Sequence, residues 1–336
     1  MVCFRSGLVI IVVIGLLLSG CFRQYASLEL KPENQVILRL ADTLNSNTPS
    51  TMGCIEFARL VEKRSNGRIK VRIFDNGKLG DELSVIEQVQ FGGVDIARVK
   101  SVLLSEYLNK YNVLFMPNIY RDEAHMWKVL EGKMGTDFSN ELLKEKFVML
   151  CWYEVGKCGF YNTKRIIHSS GDFKGLKLGI PKSRLMVDYI SSLGAVPVTL
   201  ESSNLFKELQ NHTVDGAECS LVLYYLQKYY EVARFYAIDT QSCIPDILVA
   251  SRVSMMQLTK KDQEIIINAA LESVDFERRV LRKKQQEALA MLRKDGVTIT
   301  SFDKSQNYQI WQNLRSTLEH LSMEERRLLK QIQDSY

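Results

Sequence analysis

The chain has 336 residues, 46% hydrophobic and 25% charged, with 44 Lys and Arg against 39 Asp and Glu and a formal net charge of +5. Arg5 is the only charged residue of the first twenty, so without that segment the balance is +4, dispersed among nearly as many acids. This excludes the concentrated basic face that nucleic-acid binding uses, and the roughly 300 residues that follow are enough for two cores.

At the N-terminus, Arg5 precedes the apolar run Leu8 to Leu18, and Leu18-Ser19-Gly20-Cys21 closes it. The run is about half the roughly 20 residues a spanning helix needs and ends in small residues, so residues 1–20 read as an export signal. The small pair before Cys21 resembles a bacterial lipobox. That resemblance implies a lipidated, palmitate-bearing Cys21 as the mature N-terminus, anchored to a membrane and facing the periplasm; an uncleaved anchor is the other reading. Residues 21–35 are polar, lack periodicity and contain Pro32, the marks of a tether.

Of seven cysteines, Cys3 leaves with the signal and Cys21 is the acylation site. The five others, Cys54, Cys151, Cys158, Cys219 and Cys243, are an odd number without zinc-site spacing, so no metal or cofactor is expected and the thiols read as small buried side chains.

Order begins at Val36. Val36 to Leu40 reads as a strand, Asp42 to Pro49 as a loop, and a helix follows with apolar positions Ile55, Ala58 and Val61, ended by Asn66-Gly67. Arg68 to Phe74 alternates Ile69, Val71 and Ile73 as a strand, Asp75-Asn76-Gly77 turns, a helix carries Leu83, Ile86 and Gln90, and Val94 to Val99 resumes as strand after Gly92-Gly93. This is a βαβ unit and predicts a parallel sheet covered by helices. A second region repeats the order: strand Leu176 to Ile180, helix Lys182 to Leu193, strand Pro197 to Leu200, helix Ser203 to Gln210, strand Val214 to Cys219.

Asp246 to Met255 reads as strand. Thr259 and Asp262 then open a helix that runs to Asp295 and stops at Gly296. At 1.5 Å per residue it spans roughly 50 Å, more than one lobe of about 120 residues, and so predicts a crossing between lobes; two helices bent near Asp275 or Glu277 are the alternative.

The segments "NGRIKVRIFDNGKLGDELSVIEQVQFGGVDIARV", "LFMPNIYRDEAHMWKVLEG", "FKGLKLGIPKS" and "VDGAECSL" resemble, in order and spacing, the solute-binding P subunits of TRAP transporters, the DctP-like family. The resemblance implies an α/β, two-lobed periplasmic-binding-protein fold with a ligand cleft between lobes and a long crossing helix. Its implied plan is lobe I over 36–155, lobe II over 156–244, a return to lobe I with the hinge helix over 245–283, and a return to lobe II with the C-terminal helices over 284–336. It also implies lobe closure on a small ligand and delivery to TRAP membrane permease subunits, with a tetratricopeptide-repeat lipoprotein as a possible helper.

Members of this family commonly hold an organic acid through an arginine at the position of Cys158, a second at that of Gly179 and an asparagine at that of Cys219. All three are small and weakly polar here. A carboxylate without its cation is disfavoured in a buried site, so the expected ligand is hydrophobic or amphipathic, in a pocket floored by Cys158, Gly179 and Cys219 and lined by Phe115, Met116 and Trp152, with Phe160 and the run Leu221 to Tyr225 near them. An organic acid held by other polar groups, and an interaction lipoprotein that has lost transport, are the alternatives. Asp42, Lys100 and Glu201 each end a strand where parallel strands meet the crevice and are candidate contacts. Catalysis is not expected: Cys158, Cys219 and His212 carry no sign of an activated thiol and its base.

Overall fold

The computed structural model describes residues 35–116, 119–239, 245–301 and 321–335. The export signal, Cys21, nearly all of the tether and Cys243 lie outside these residues.

Two sheets account for the two lobes. In lobe I, β1 (Val36–Asp42), β2 (Ile69–Phe74), β3 (Ile96–Lys100) and β4 (Phe147–Tyr153) are joined by a late strand, β10 (Asp246–Ser251), in the order β2-β1-β3-β10-β4. β1 and β3 run parallel with Leu40 opposite Ile96, whereas β10 is antiparallel to both its neighbours and sets Asp246 between Lys100 and Tyr153. The expected βαβ unit is present. Helix α1 (Pro49–Arg64) starts with Pro49 in its first turn and ends where Asn66 and Gly67 take positive φ. Its buried face is Cys54, Phe57, Leu60 and Val61, while Ile55 is exposed, so the apolar stripe is turned from the one read in the sequence. The cause is tertiary: the long crossing helix packs along α1 and selects the face it covers. Helix α2 (Glu82–Phe91) is capped by Asp81, which accepts from the amides of Leu83 and Ser84, and ends at Gly92 with φ 79°. Helices α3 (Glu123–Leu130) and α4 (Lys133–Lys144) complete this lobe before β4.

In lobe II, β5 (Cys158–Asn162), β6 (Lys177–Ile180), β7 (Val196–Thr199), β8 (Gly216–Ser220), β9 (Phe235–Asp239) and β11 (Thr298–Ser301) lie in the order β11-β9-β5-β8-β6-β7. Helices α5 (Arg184–Ser192) and α6 (Leu205–Gln210) make the connections read from the sequence, and α7 (Leu221–Leu226) follows β8. One face of this sheet buries Phe160, Leu178, Ile180 and Ala237; the other buries Tyr161, Ala217, Tyr224 and Tyr236.

The stretch expected as one strand to Met255 changes at Ser251. There Ser251 accepts from the Ser254 amide and caps a short helix, α8 (Arg252–Met256). Helix α9 (Lys260–Lys294) is continuous over 35 residues, with Thr259 accepting from the Asp262 amide at its start. It packs on α1 and β4 near its beginning, and Leu289 and Leu292 enter the lobe II core near its end, so it crosses as predicted. Arg68 and Asp262 pair at the lobe I end.

The C-terminal helix corrects the domain plan. Instead of returning to lobe II, α10 (Met323–Asp334) packs on lobe I: Leu328, Leu329 and Ile332 join its core, and Lys110 pairs with Glu324 at 3.1 Å. Arg121 donates to the carbonyl of Ser335 at 2.9 Å, and His125 Nε2 lies 3.0 Å from the carbonyl oxygen of Ile332. An apolar ridge on an otherwise charged helix settles where an apolar groove and partners for its ends coincide.

Candidate functional site

The segment 154–157 leads from the end of β4 to the start of β5, so the strand ends beside it mark the lobe interface. On the lobe I side these are Lys100, Asp246 and Tyr153, in register across β3, β10 and β4. On the lobe II side Cys158 opens β5 opposite Ser220, and Cys219 is opposite Gly159.

That register separates the three expected floor residues. Side chains alternate across a strand, and Cys158 shares the Phe160 face while Gly179, opposite Ala217, shares the other face with Cys219. One floor made of all three is therefore not what the sheet builds. Gly179 also leaves no open space. A Cβ there would stand 3.0 Å from Leu205 Cδ1 and 3.1 Å from Leu200 Cδ2, so two leucines fill the volume that a longer side chain would need. Where the resemblance implies a guanidinium, this chain has aliphatic packing.

Cys219 is half-buried between lobes, and its surroundings are apolar enough to push its thiol well above the ordinary value near 9.0. Burial is the largest cause and the neighbouring Glu218 adds to it; Lys100, reaching from lobe I, and Tyr161 pull the other way and lose. The Tyr236 hydroxyl donates to the Cys219 carbonyl at 2.9 Å. Around it lies a nest of tyrosines: Tyr161 stacks on Tyr229 at 5.2 Å, and Tyr224 stands 4.8 Å from Tyr236. Of the run Leu221 to Tyr225, Leu221, Val222 and Tyr224 are buried, Leu221 and Tyr224 within this core, leaving Leu223 and Tyr225 half-buried.

Other expected contacts are corrected. Phe115, Met116 and Trp152 are all buried in the lobe I core: Trp152 stacks on Phe138 at 5.9 Å and donates Nε1–H to the Leu130 carbonyl at 3.3 Å. Their size and hydrophobicity serve packing. Asp42 is buried and occupied, accepting from Arg98 Nε at 2.8 Å, from the Thr51 hydroxyl at 2.6 Å and from the Leu44 amide at 2.9 Å. Glu201 is exposed after β7. Lys100 is half-buried at the end of β3, forms no salt bridge among the described residues, and its charge acts on both Asp246 and Cys219.

Two buried charged groups were missed. Arg98, in the middle of β3 and 1% exposed, pairs with Asp42, with Asp246 at 3.4 Å and with Glu82 at 3.6 Å. Burial alone would lower its pKa, but the three acids outweigh it and raise it. Asp246 is pushed up to about 6, first by burial and then by Glu82 and Asp42, against Arg98 and Lys100. The signal was available: an arginine within "DIARV" in a strand buried on both faces must bring its counter-ions with it. The second group is Glu277 in α9, fully buried against Gly53 and Tyr153, which accepts from the Glu154 amide in the interlobe segment at 3.3 Å.

A family described as "Bacterial extracellular solute-binding protein, family 7" (DctP) matches residues 40–324. The chain is similar to the sialic acid-binding periplasmic protein SiaP of Vibrio cholerae, 25% identical over 269 residues that cover 77% of this chain and 83% of that one. A TRAP periplasmic solute binding protein from a Bradyrhizobium species, solved in complex with α/β-D-galacturonate, is 29% identical with a TM-score of 0.82, covering 89% of this chain and 99% of that one. The sugar acid binding protein DctPAm of Advenella mimigardefordensis, solved with galactonate, is 25% identical with a TM-score of 0.85, covering 90% and 97%.

Proposed function

The chain belongs to the DctP family and is a TRAP-type periplasmic solute-binding protein, and from that premise we propose that the solute it captures is hydrophobic or amphipathic. The observation that supports this is the balance at Cys219, where burial outweighs the nearby Lys100 charge and disfavours an anion. A ligand carboxylate in an apolar setting without a cation to pair it is disfavoured. The leucines that fill the space at Gly179, and the thiol of Cys158 at the head of β5, leave no guanidinium fork to offset it.

In this reading the ligand sits between the strand ends of the two lobes, closure is driven by its greater affinity for the closed form, and the closed protein delivers it to the TRAP permease. The segment 154–157 and α9 absorb the hinge movement. An apolar cargo also gives a role to a tetratricopeptide-repeat lipoprotein as helper and to a lipid anchor on Cys21 that keeps capture close to the membrane.

Lys100 favours a second reading, in which an organic acid, as in the galacturonate and galactonate complexes of the relatives, is held from lobe I rather than lobe II. Lys100→Met separates the two. The amount of ligand that copurifies with the protein, measured by extraction and quantitative mass spectrometry, is expected to change by less than about twofold if the ligand is apolar. A fall of more than about tenfold, the loss that accompanies a missing buried charge partner, would transfer the assignment to an acid held by Lys100.

A further inference from the structure

The cleft lies at the carboxyl end of β3. The opposite end of the lobe I sheet carries an exposed apolar patch. Five apolar side chains are exposed there: Ile37 (42%), Phe91 (68%), Leu143 (40%), Val253 (41%) and Met256 (71%). Their placement follows from the ladder. Extending the β1–β3 register brings Ile37 level with Gly93, just past Phe91, and the Ser251 amide bonds to the Asp95 carbonyl, so α8 leaves the sheet at this end. A Cβ on Gly92 would touch Val253 at 3.1 Å, and Arg252 donates to the Leu143 carbonyl at 3.4 Å, tying Phe91, α8 and α4 into one surface.

The rim is basic. Lys146 holds its ammonium 5.0 Å from the Phe91 ring centroid, Arg252 is exposed, and Lys260 and Lys261 open α9 directly after α8, to which Gln263 binds through the carbonyls of Met255 and Leu258. None of these four cations forms a salt bridge among the described residues.

Exposed aromatic and aliphatic side chains, with four lysine and arginine residues near them in no salt bridge among the described residues, match the interface of an anionic bilayer: apolar groups enter the headgroup boundary and each cation near the surface adds attraction. We propose that the cleft-distal end of lobe I is a membrane-binding face for anionic phospholipid. This goes beyond solute capture and does not depend on which solute is captured.

The test uses residues 21–336 with Cys21→Ser, so that no acyl chain contributes, in flotation with phosphatidylcholine vesicles containing or lacking phosphatidylglycerol. The protein is expected to float with anionic vesicles only, and Phe91→Ser combined with Met256→Ser is expected to reduce the floated fraction by at least about fivefold while leaving the melting temperature unchanged. Because all substituted side chains are exposed, Lys260→Glu with Lys261→Glu gives an independent readout with the same expected direction. No flotation of the unsubstituted body, or flotation unaffected by both pairs, would overturn the proposal. So would a concentration-dependent dimer abolished by Phe91→Ser, which would assign the face to a second copy of the chain.

Discussion

Arg98→Met is expected to remove about 3–5 kcal/mol of stability, the loss that follows when one partner is taken from a buried charge cluster. Arg98 forms salt bridges with Asp42, Asp246 and Glu82, and its side chain and that of Asp42 are almost entirely buried. Methionine fills much of the same volume, so the loss comes from stranded carboxylates rather than from a cavity. Part of the cost is recoverable by protonation: Asp246 already sits at about 6 with Arg98 present and must rise further without it. The deficit relative to the unsubstituted protein should therefore shrink as pH falls from 7 towards 5. Urea unfolding at several pH values measures this, and a deficit below about 1 kcal/mol, the worth of an exposed pair, would show that the cluster is hydrated instead.

The second large effect concerns Glu277. Its carboxyl is pushed up from 4.5 to about 9, first by burial, then by the negative charges of Glu154 and Asp246, against the Glu154 amide and Arg278. A raised acid is one whose native state keeps a proton that the unfolded chain releases. The contribution of Glu277 to stability is thus most favourable below pH 4.5 and falls as pH rises to about 9, with a cost of about 3 kcal/mol at pH 7. Glu277→Gln removes this titration. One side-chain oxygen of Glu277 has no hydrogen-bond partner, so the glutamine amide offsets part of the gain, and a net increase of about 1–2 kcal/mol at pH 7 is expected. The firmer expectation is the shape: the advantage of the variant grows with pH, vanishes at about pH 5.5–6 and is reversed near pH 4.5, where only the glutamine penalty remains. Thermal unfolding from pH 4 to 9 measures it, and parallel curves for the two proteins would contradict a neutral carboxyl at this position.

Why these two groups escaped a reading of the sequence shows what such a reading contains. The alternation in "RIKVRIF" and the helix signals around "NG" and "GG" are local, so the βαβ unit and its repeat in lobe II were legible strand by strand. The crossing of α9 was legible too, because length alone forces it. Side-chain destinations are not local. Asp42 looked like a crevice residue because a strand ends there, but its partner is 56 residues away in β3. Phe115, Met116 and Trp152 looked like pocket walls because they are large and apolar, and the lobe I core claimed them.

Gly179 shows the limit most clearly. Its lack of a side chain is visible in "KLGIP", but whether that leaves a space depends on Leu200 and Leu205, from the next strand end and helix, which fill it. The sheet face of Cys158 likewise depends on a register that no stretch of sequence states. The C-terminal helix was misplaced because the plan implied by the resemblance gives it to lobe II, whereas the core that receives Leu328, Leu329 and Ile332 belongs to lobe I.

The most direct test of the central claim is native mass spectrometry of the Cys21→Ser protein purified without detergent, followed by organic extraction and identification of whatever is bound. An apolar or amphipathic compound at about one per chain is the predicted result, in keeping with pockets that enclose most of an apolar ligand's surface. A hexuronate, aldonate or other small acid at the same stoichiometry would contradict it.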